Sequence, residues 1–163
     1  MTETAAPAGV TLRPMIRSDV ARVVEIETEA FTSPWQEDTF AGLLDRPGVE
    51  LLVLEHEADG IVGYAVLWCV VDQGELANVA VVPGRRGRGL GRWLVGRVLD
   101  VARARGLRRV YLEVRSSNER AARIYEDFGF REVGVRRDYY DQPREDARIL
   151  MVELGGAVGD RGP

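Results

Sequence analysis

Apolar and polar positions along the chain change period several times, and each change predicts an element. In "RRVYLEVR", Val110, Leu112 and Val114 alternate with Tyr111, Glu113 and Arg115, the pattern of a strand with one buried face. Leu90, Trp93, Leu94, Val98, Val101 and Ala102 recur at helical spacing and predict a helix closed by Gly106. A second helix is expected from an Asn118 cap to Phe128, closed by Gly129. Earlier, Ser18 reads as the cap of a helix through Ala30, with Val20, Val23, Val24 and Ile26 apolar and Glu27 charged at the same spacing. "SPWQ" predicts another helix to about Leu44, with Ser33 as N-cap, Pro34 at the first position and Gln36 three residues after the cap. Strands are expected at Val10–Ile16, Val49–Glu55, Ile61–Val71, Glu75–Val82, Phe130–Arg136 and Ala147–Leu154, with turns at "EADG" and "DQG". The order β-α-α-β-β-β-α-β-α-β-β has hairpins first and crossovers later. It predicts a mixed sheet with helices on its faces.

Composition narrows the class. A chain of 163 residues, 45% apolar, suits one domain with a proper core. Residues 10–154 form that domain, and residues 1–9 and 155–163 read as disordered ends. No apolar run approaches the roughly 20 residues of a membrane span, and "MTETAAPAGV" lacks the pattern of a secretory leader. The lone Cys69 excludes an internal disulfide and points to a reducing cytoplasm; in its apolar run it reads as a buried thiol. One His and one Cys are too few for a His/Cys zinc site, so no metal is expected. A net charge of −4 argues against a general nucleic-acid binder.

Against that acidic balance, "VPGRRGRGLGRW" concentrates Arg85, Arg86, Arg88 and Arg92 among Gly84, Gly87, Gly89 and Gly91. A strand runs into this loop and a helix leaves it. Helix N-terminal amides, glycines that let a ligand approach the backbone, and nearby cations together suit a phosphate or pyrophosphate. A basic, solvated surface turn is the other reading. The loop lacks the Gly-Lys-Ser/Thr ending of a nucleotide-triphosphate loop, and its glycines lack the dinucleotide spacing.

"RGRGLG", Arg86 to Gly91, matches the Gln/Arg-x-x-Gly-x-Gly/Ala signature of the GNAT N-acetyltransferases, in which the loop amides hold the pyrophosphate of acetyl coenzyme A. "NVAVVP" precedes it, and "LEVRSSNERAARIYEDFGF", "RRDYY" and "REDARILM" follow. With these the chain resembles the RimI branch, which acetylates the N-terminal alanine of a small-subunit ribosomal protein. The resemblance spans roughly residues 10–154 and is densest from Asn78 to Met151. It implies an α/β (α+β) GNAT fold, a mixed, mostly antiparallel sheet of about seven strands flanked by about four helices. It also implies coenzyme contacts at Val79, Ala80, Val81, Arg86, Gly87, Arg88, Gly89, Leu90, Gly91, Arg92 and Asn118. The family leads into the loop with an aromatic residue and Gln; this chain has "VPGRR" instead, which leaves Arg85 without an implied contact.

Acetyl transfer to an amine requires removal of an ammonium proton, stabilisation of the thioester oxygen and a proton for the leaving thiolate. Glu113, opposite the apolar face of its strand, reads as a solvated charge or, if partly buried, as a base. The resemblance implies the base. Tyr125, with Ala121, Ile124 and Phe128 as helical neighbours, reads as a core aromatic, whereas the resemblance implies the general acid. Asn118 serves as a cap on either reading. Trp35, Tyr139 and Tyr140 lie in or beside loops and read as packing aromatics; the resemblance places them beside the acceptor groove, with Asp138 and Asp141 able to attract a basic peptide. The expected partners are acetyl coenzyme A and a protein N-terminus, that of a ribosomal protein, without nucleic acid or membrane, for a monomer or weak dimer. The competing readings are a broader N-terminal, lysine or small-amine acetyltransferase, a noncatalytic acyl-coenzyme-A sensor, and an RNA-binding module.

Overall fold

A computed structural model describes residues 6–85 and 89–155. Seven strands form one sheet: β1 (Val10–Pro14), β2 (Val49–His56), β3 (Gly60–Val70), β4 (Gln73–Val81), β5 (Arg109–Arg115), β6 (Arg131–Asp141) and β7 (Arg144–Glu153). Four α-helices accompany them: α1 (Val20–Ala30), α2 (Glu37–Leu43), α3 (Leu90–Ala104) and α4 (Glu119–Asp127). The strand order is β1-β2-β3-β4-β5-β7-β6. The pairs are antiparallel except β4 with β5, which α3 joins as a parallel crossover. This is the mixed sheet that the order of elements predicts, with the mostly antiparallel pairing that the resemblance implies.

The burial pattern follows from which faces the helices cover. Leu94, Val98, Leu99 and Ala102 of α3 pack on Leu52, Leu54, Ala65, Leu67, Val110 and Leu112. On the opposite face, Val23 and Ile26 of α1 and Phe40 and Leu43 of α2 pack on Val53, Tyr64 and Val66. Covered on both sides, β3 is buried without interruption from Ile61 to Leu67. In β5, by contrast, Val110, Leu112 and Val114 are buried while Tyr111, Glu113 and Arg115 are only half-buried. Its second face lies beyond α1 and α2, and Glu113 stands on that open face.

The ends of several elements differ from expectation. The segment after α1 does not become helical at Pro34. Its Trp35 N–H donates to Glu27 Oε2 at 2.9 Å, Gln36 is extended, and α2 begins at Glu37. A tertiary acceptor thus overrides the local cap signal. Ser18 does not cap α1 either: it lies in a 3-10 turn, Arg17–Asp19, where Asp19 accepts from the Ile16 N–H at 2.8 Å and pairs with Arg13. β6 runs five residues past Arg136, with a register shift between Arg136 and Tyr140, so Tyr139 and Tyr140 lie on a strand. Asp138 takes the left-handed conformation in that bulge, φ 52°, and its N–H donates to Asp146 Oδ1 at 2.8 Å. Of the expected terminal tails, Gly9 pairs its carbonyl with the Glu57 N–H at 2.9 Å; residues 1–5 and 156–163 lie outside the described residues.

Glu27 is a charged residue in the core, 1% exposed. Its carboxylate accepts from the Tyr64 hydroxyl, from Asn78 Nδ2 at 2.7 and 2.9 Å, and from the Trp35 N–H. All of these donors are neutral. Glu27 therefore joins α1, β3, β4 and the α1–α2 loop at one point. Burial and the adjacent Glu27 charge hold the Tyr64 phenol well above its ordinary range, so it remains a donor. Glu27→Leu would leave these buried donors without an acceptor, each costing about 1–3 kcal/mol. Urea unfolding of Glu27→Leu is expected to show a stability loss of about 3 kcal/mol or more; an unchanged midpoint would mean that the network does not hold the fold.

Candidate active site

The sheet opens where β4 and β5 part. They pair only over Gln73–Glu75 against Arg109–Tyr111, and from Leu76 onward β4 is laddered to β3 alone. The Val82 N–H donates to Val62 O at 2.9 Å. Backbone groups alternate in an antiparallel ladder, so Ala80 also faces β3 while those of Val79 face the gap. The gap thus exposes main-chain groups in the middle of a sheet, where a ligand can complete the ladder.

At the end of β4 the chain turns into α3. Gly89 precedes the helix with φ 76°, a conformation that favours glycine. A Cβ added at Gly89 or Gly91 would meet no atom of the described residues within 4 Å. The first amides of this 15-residue helix have no partners within it and, with the helix dipole, attract an anion. A pyrophosphate fits here on the protein's own terms: amides unpaired within the helix, and no described atom over Gly89 or Gly91. The flanking arginines behave differently. Arg92 pairs with Asp127 at 2.6 Å, fastening α3 to α4, and Arg85 pairs with Asp59. Arg86, Gly87 and Arg88 lie outside the described residues.

Across the gap, Asn118 caps α4 by accepting from the Ala121 N–H at 3.2 Å, as its side chain predicts. α4 buries Ala122 and Tyr125, and the Tyr125 ring meets Phe130 edge-on at 5.5 Å. Burial, and secondarily Tyr140, raise the Tyr125 phenol well above its ordinary value of about 10. It remains protonated through the neutral and moderately alkaline range.

On the open face, Glu113 pairs with Ile149 of β7 in register, and its side chain is 19% exposed. Arg136 Nε is 2.9 Å from Glu113 Oε2, yet that oxygen is buried and accepts no hydrogen bond, so the contact is an ion pair with a lone pair to spare. Tyr139 and Tyr140 meet at 5.0 Å, edge to face. Burial first, then Glu113, raises both phenols, Tyr140 to about 12. A cavity of roughly 330 Å³ lies here, lined by Trp68, Glu75, Tyr111, Glu113, Arg136 and Ile149 among others.

The structure therefore brings Glu113, Tyr139 and Tyr140 together and sets Tyr125 within the field of Tyr140. Trp35 is half-buried, ties to Glu27 and leans on Phe40 at 5.5 Å. Sequence reasoning missed the network role of Glu27, although a carboxylate in phase with the apolar face of α1 is its signal. It also missed Arg136 and Arg115, which have no local signature.

A splayed parallel pair between a glycine-rich helix start and an open acidic face matches the fold class of acyl transfer from coenzyme A. The chain belongs to the Acetyltransferase (GNAT) family, which it matches over residues 20–130. It is an N-acetyltransferase, and acetyl coenzyme A is the cosubstrate of this family. Among its relatives, the [Ribosomal protein bS18]-alanine N-acetyltransferase of Salmonella typhimurium is 37% identical over 88% of this chain and 97% of its own length. The protein of the same name from Escherichia coli K12 is 35% identical over the same shares. The crystal structure of the ribosomal-protein-S18-alanine N-acetyltransferase from Escherichia coli superposes with a TM-score of 0.85 at 33% identity, covering 94% of this chain and 99% of that one.

Proposed function

We propose that this chain transfers acetyl from acetyl coenzyme A to the α-amine of a protein N-terminus, the N-terminal alanine of a small-subunit ribosomal protein. The observation that carries this reading is the splay of β4 from β5, with Glu113 on the open face and Tyr125 across the gap. The names of the relatives over nearly their full length support the acceptor.

Acetyl coenzyme A supplies the acyl thioester. The α3 amides from Leu90, with Gly89 and Gly91 keeping the approach open, would hold its pyrophosphate, and the gap-facing backbone of Val79 its pantetheine arm; the main-chain groups of Ala80 are turned to β3 instead. Arg92 contributes positive potential from its pair with Asp127, and Asn118 orders the start of α4. Glu113, 19% exposed and lining the cavity, accepts the proton of the incoming ammonium, directly or through water. Tyr125 keeps its proton and donates it to the departing sulfur. Tyr139, Tyr140 and Trp35 border the acceptor peptide.

The direct test is mass spectrometry of acetylation on N-terminal alanine peptides, with lysine peptides and polyamines as rival acceptors. Modification of a rival in preference to the α-amine would overturn the acceptor assignment.

In the same assay, Tyr125→Phe is expected to lower kcat by about 10²–10⁴-fold with little change in coenzyme affinity. Glu113→Gln should lower kcat/KM at neutral pH and recover in part toward alkaline pH, where an amine of pKa about 8 deprotonates unaided. Because the Tyr125 phenol is raised, the wild-type rate should climb with the amine and not fall again below about pH 10. A Glu113→Gln profile that overlays the wild type would move the base elsewhere.

Gly91→Val separates binding from folding. The added Cβ meets no described atom within 4 Å, so the melting temperature should stay within a few degrees. Calorimetry should nonetheless show acetyl coenzyme A binding weakened by about tenfold or more, because the side chain stands where the pyrophosphate approaches. Unchanged affinity would remove this helix start from the coenzyme site.

A further inference from the structure

Arg115 ends β5 with its side chain 23% exposed, and it reaches two segments that are far apart in the chain. Nη2 donates to Thr32 Oγ1 at 3.0 Å, in the loop between α1 and α2, and to the Gln142 carbonyl at 3.3 Å. Nη1 donates to the Pro143 carbonyl at 3.0 Å and to Glu145 Oε1 at 3.2 Å, in the turn and strand that follow β6. The guanidinium also stands 4.2 Å from the centre of the Tyr140 ring. One planar, permanently charged fork thus spends four donors on two segments and one face on an aromatic. Two of those acceptors are main-chain carbonyls, so the arginine holds the shape of the turn as well as its position. Tyr140 in turn lies in the field of Glu113.

We propose that Arg115 is a positioning residue that latches the α1–α2 loop to the β6–β7 hairpin, so that the two walls of the acceptor groove are held as one unit. This rests on the assignment of that groove to the acceptor peptide. Coenzyme binding, on α3 and β4, lies outside the latch. Loss of the fork should therefore raise the acceptor KM and spare coenzyme affinity.

The experiment pairs hydrogen exchange with kinetics on Arg115→Gln, Arg115→Lys and Thr32→Val. In Arg115→Gln, amides of residues 31–36 and of 140–145 should both exchange about tenfold faster while the β2–β3 core is unchanged. Its KM for an N-terminal peptide should rise about tenfold, with kcat and acetyl coenzyme A affinity within about twofold of wild type. Arg115→Lys keeps the charge without the planar fork and should show the same pattern to a smaller degree. Thr32→Val deletes one bond without touching the core, and should loosen 31–36 and raise the KM severalfold even if Arg115→Gln does not fold. Faster exchange in only one segment of Arg115→Gln, or an unchanged peptide KM with both loosened, would overturn the latch. A wild-type protein that does not acetylate N-terminal peptides would overturn the acceptor reading alone, because the exchange measurement tests the latch without it.

Discussion

The short parallel contact between β4 and β5 is the constraint on which the rest of the site depends. Three residues on each strand pair, and the strands then part. The closed end is tight: a Cβ at Gly74 would lie 2.8 Å from Leu107 Cδ1. The open end turns the main-chain groups of Val79 to a gap with no neighbouring strand among the described residues, which a buried sheet tolerates only where something else completes the pairing. On the proposed function, the crossovers would deliver both ends of the chemistry. α3 leaves β4 with its amides at the mouth of the gap, and α4 leaves β5 with Tyr125 buried along it.

How much of this was legible in the sequence depends on how local the determining physics is. The alternation in β5 placed Glu113 opposite the apolar face, and Asn118 capped α4 as its side chain predicts, because both effects act within a few residues. The "SPWQ" signal failed for the complementary reason. Ser33 and Pro34 are good helix starters, but the Trp35 N–H is claimed by Glu27, eight residues earlier and on another element. β6 was read short because its bulge at Asp138 interrupts the alternation, although pairing resumes at Tyr140 with Glu145. The Arg115 contacts could not be read at all: Thr32 is 83 residues away.

Glu27 and Glu113 show how one residue type serves opposite ends. Glu27 is saturated by neutral donors from three directions, is 1% exposed, and has no oxygen left for a substrate. Such a group fixes geometry. Glu113 is half-buried, leans on Arg136 and keeps an oxygen without a hydrogen bond. Such a group is open to a ligand in the cavity that it lines. A composition count treats the two alike, and periodicity alone marks Glu27 as the odder of the two. The distinction lies in satisfaction, which only the three-dimensional arrangement supplies.

The arginines divide in the same way. In the sequence the arginines join the helix amides and the glycines in suiting a phosphate, yet Arg85 and Arg92 are each engaged with an aspartate. Ion-paired side chains on the surface are weak anchors for a ligand, whereas helix-start amides have no competing partner within the helix. On the proposed function, the glycines would carry more of the binding than Arg85 and Arg92. The same division of labour holds at Arg115, where the charge is less important than the fork, because two of its four acceptors are neutral carbonyls of a turn that the arginine shapes.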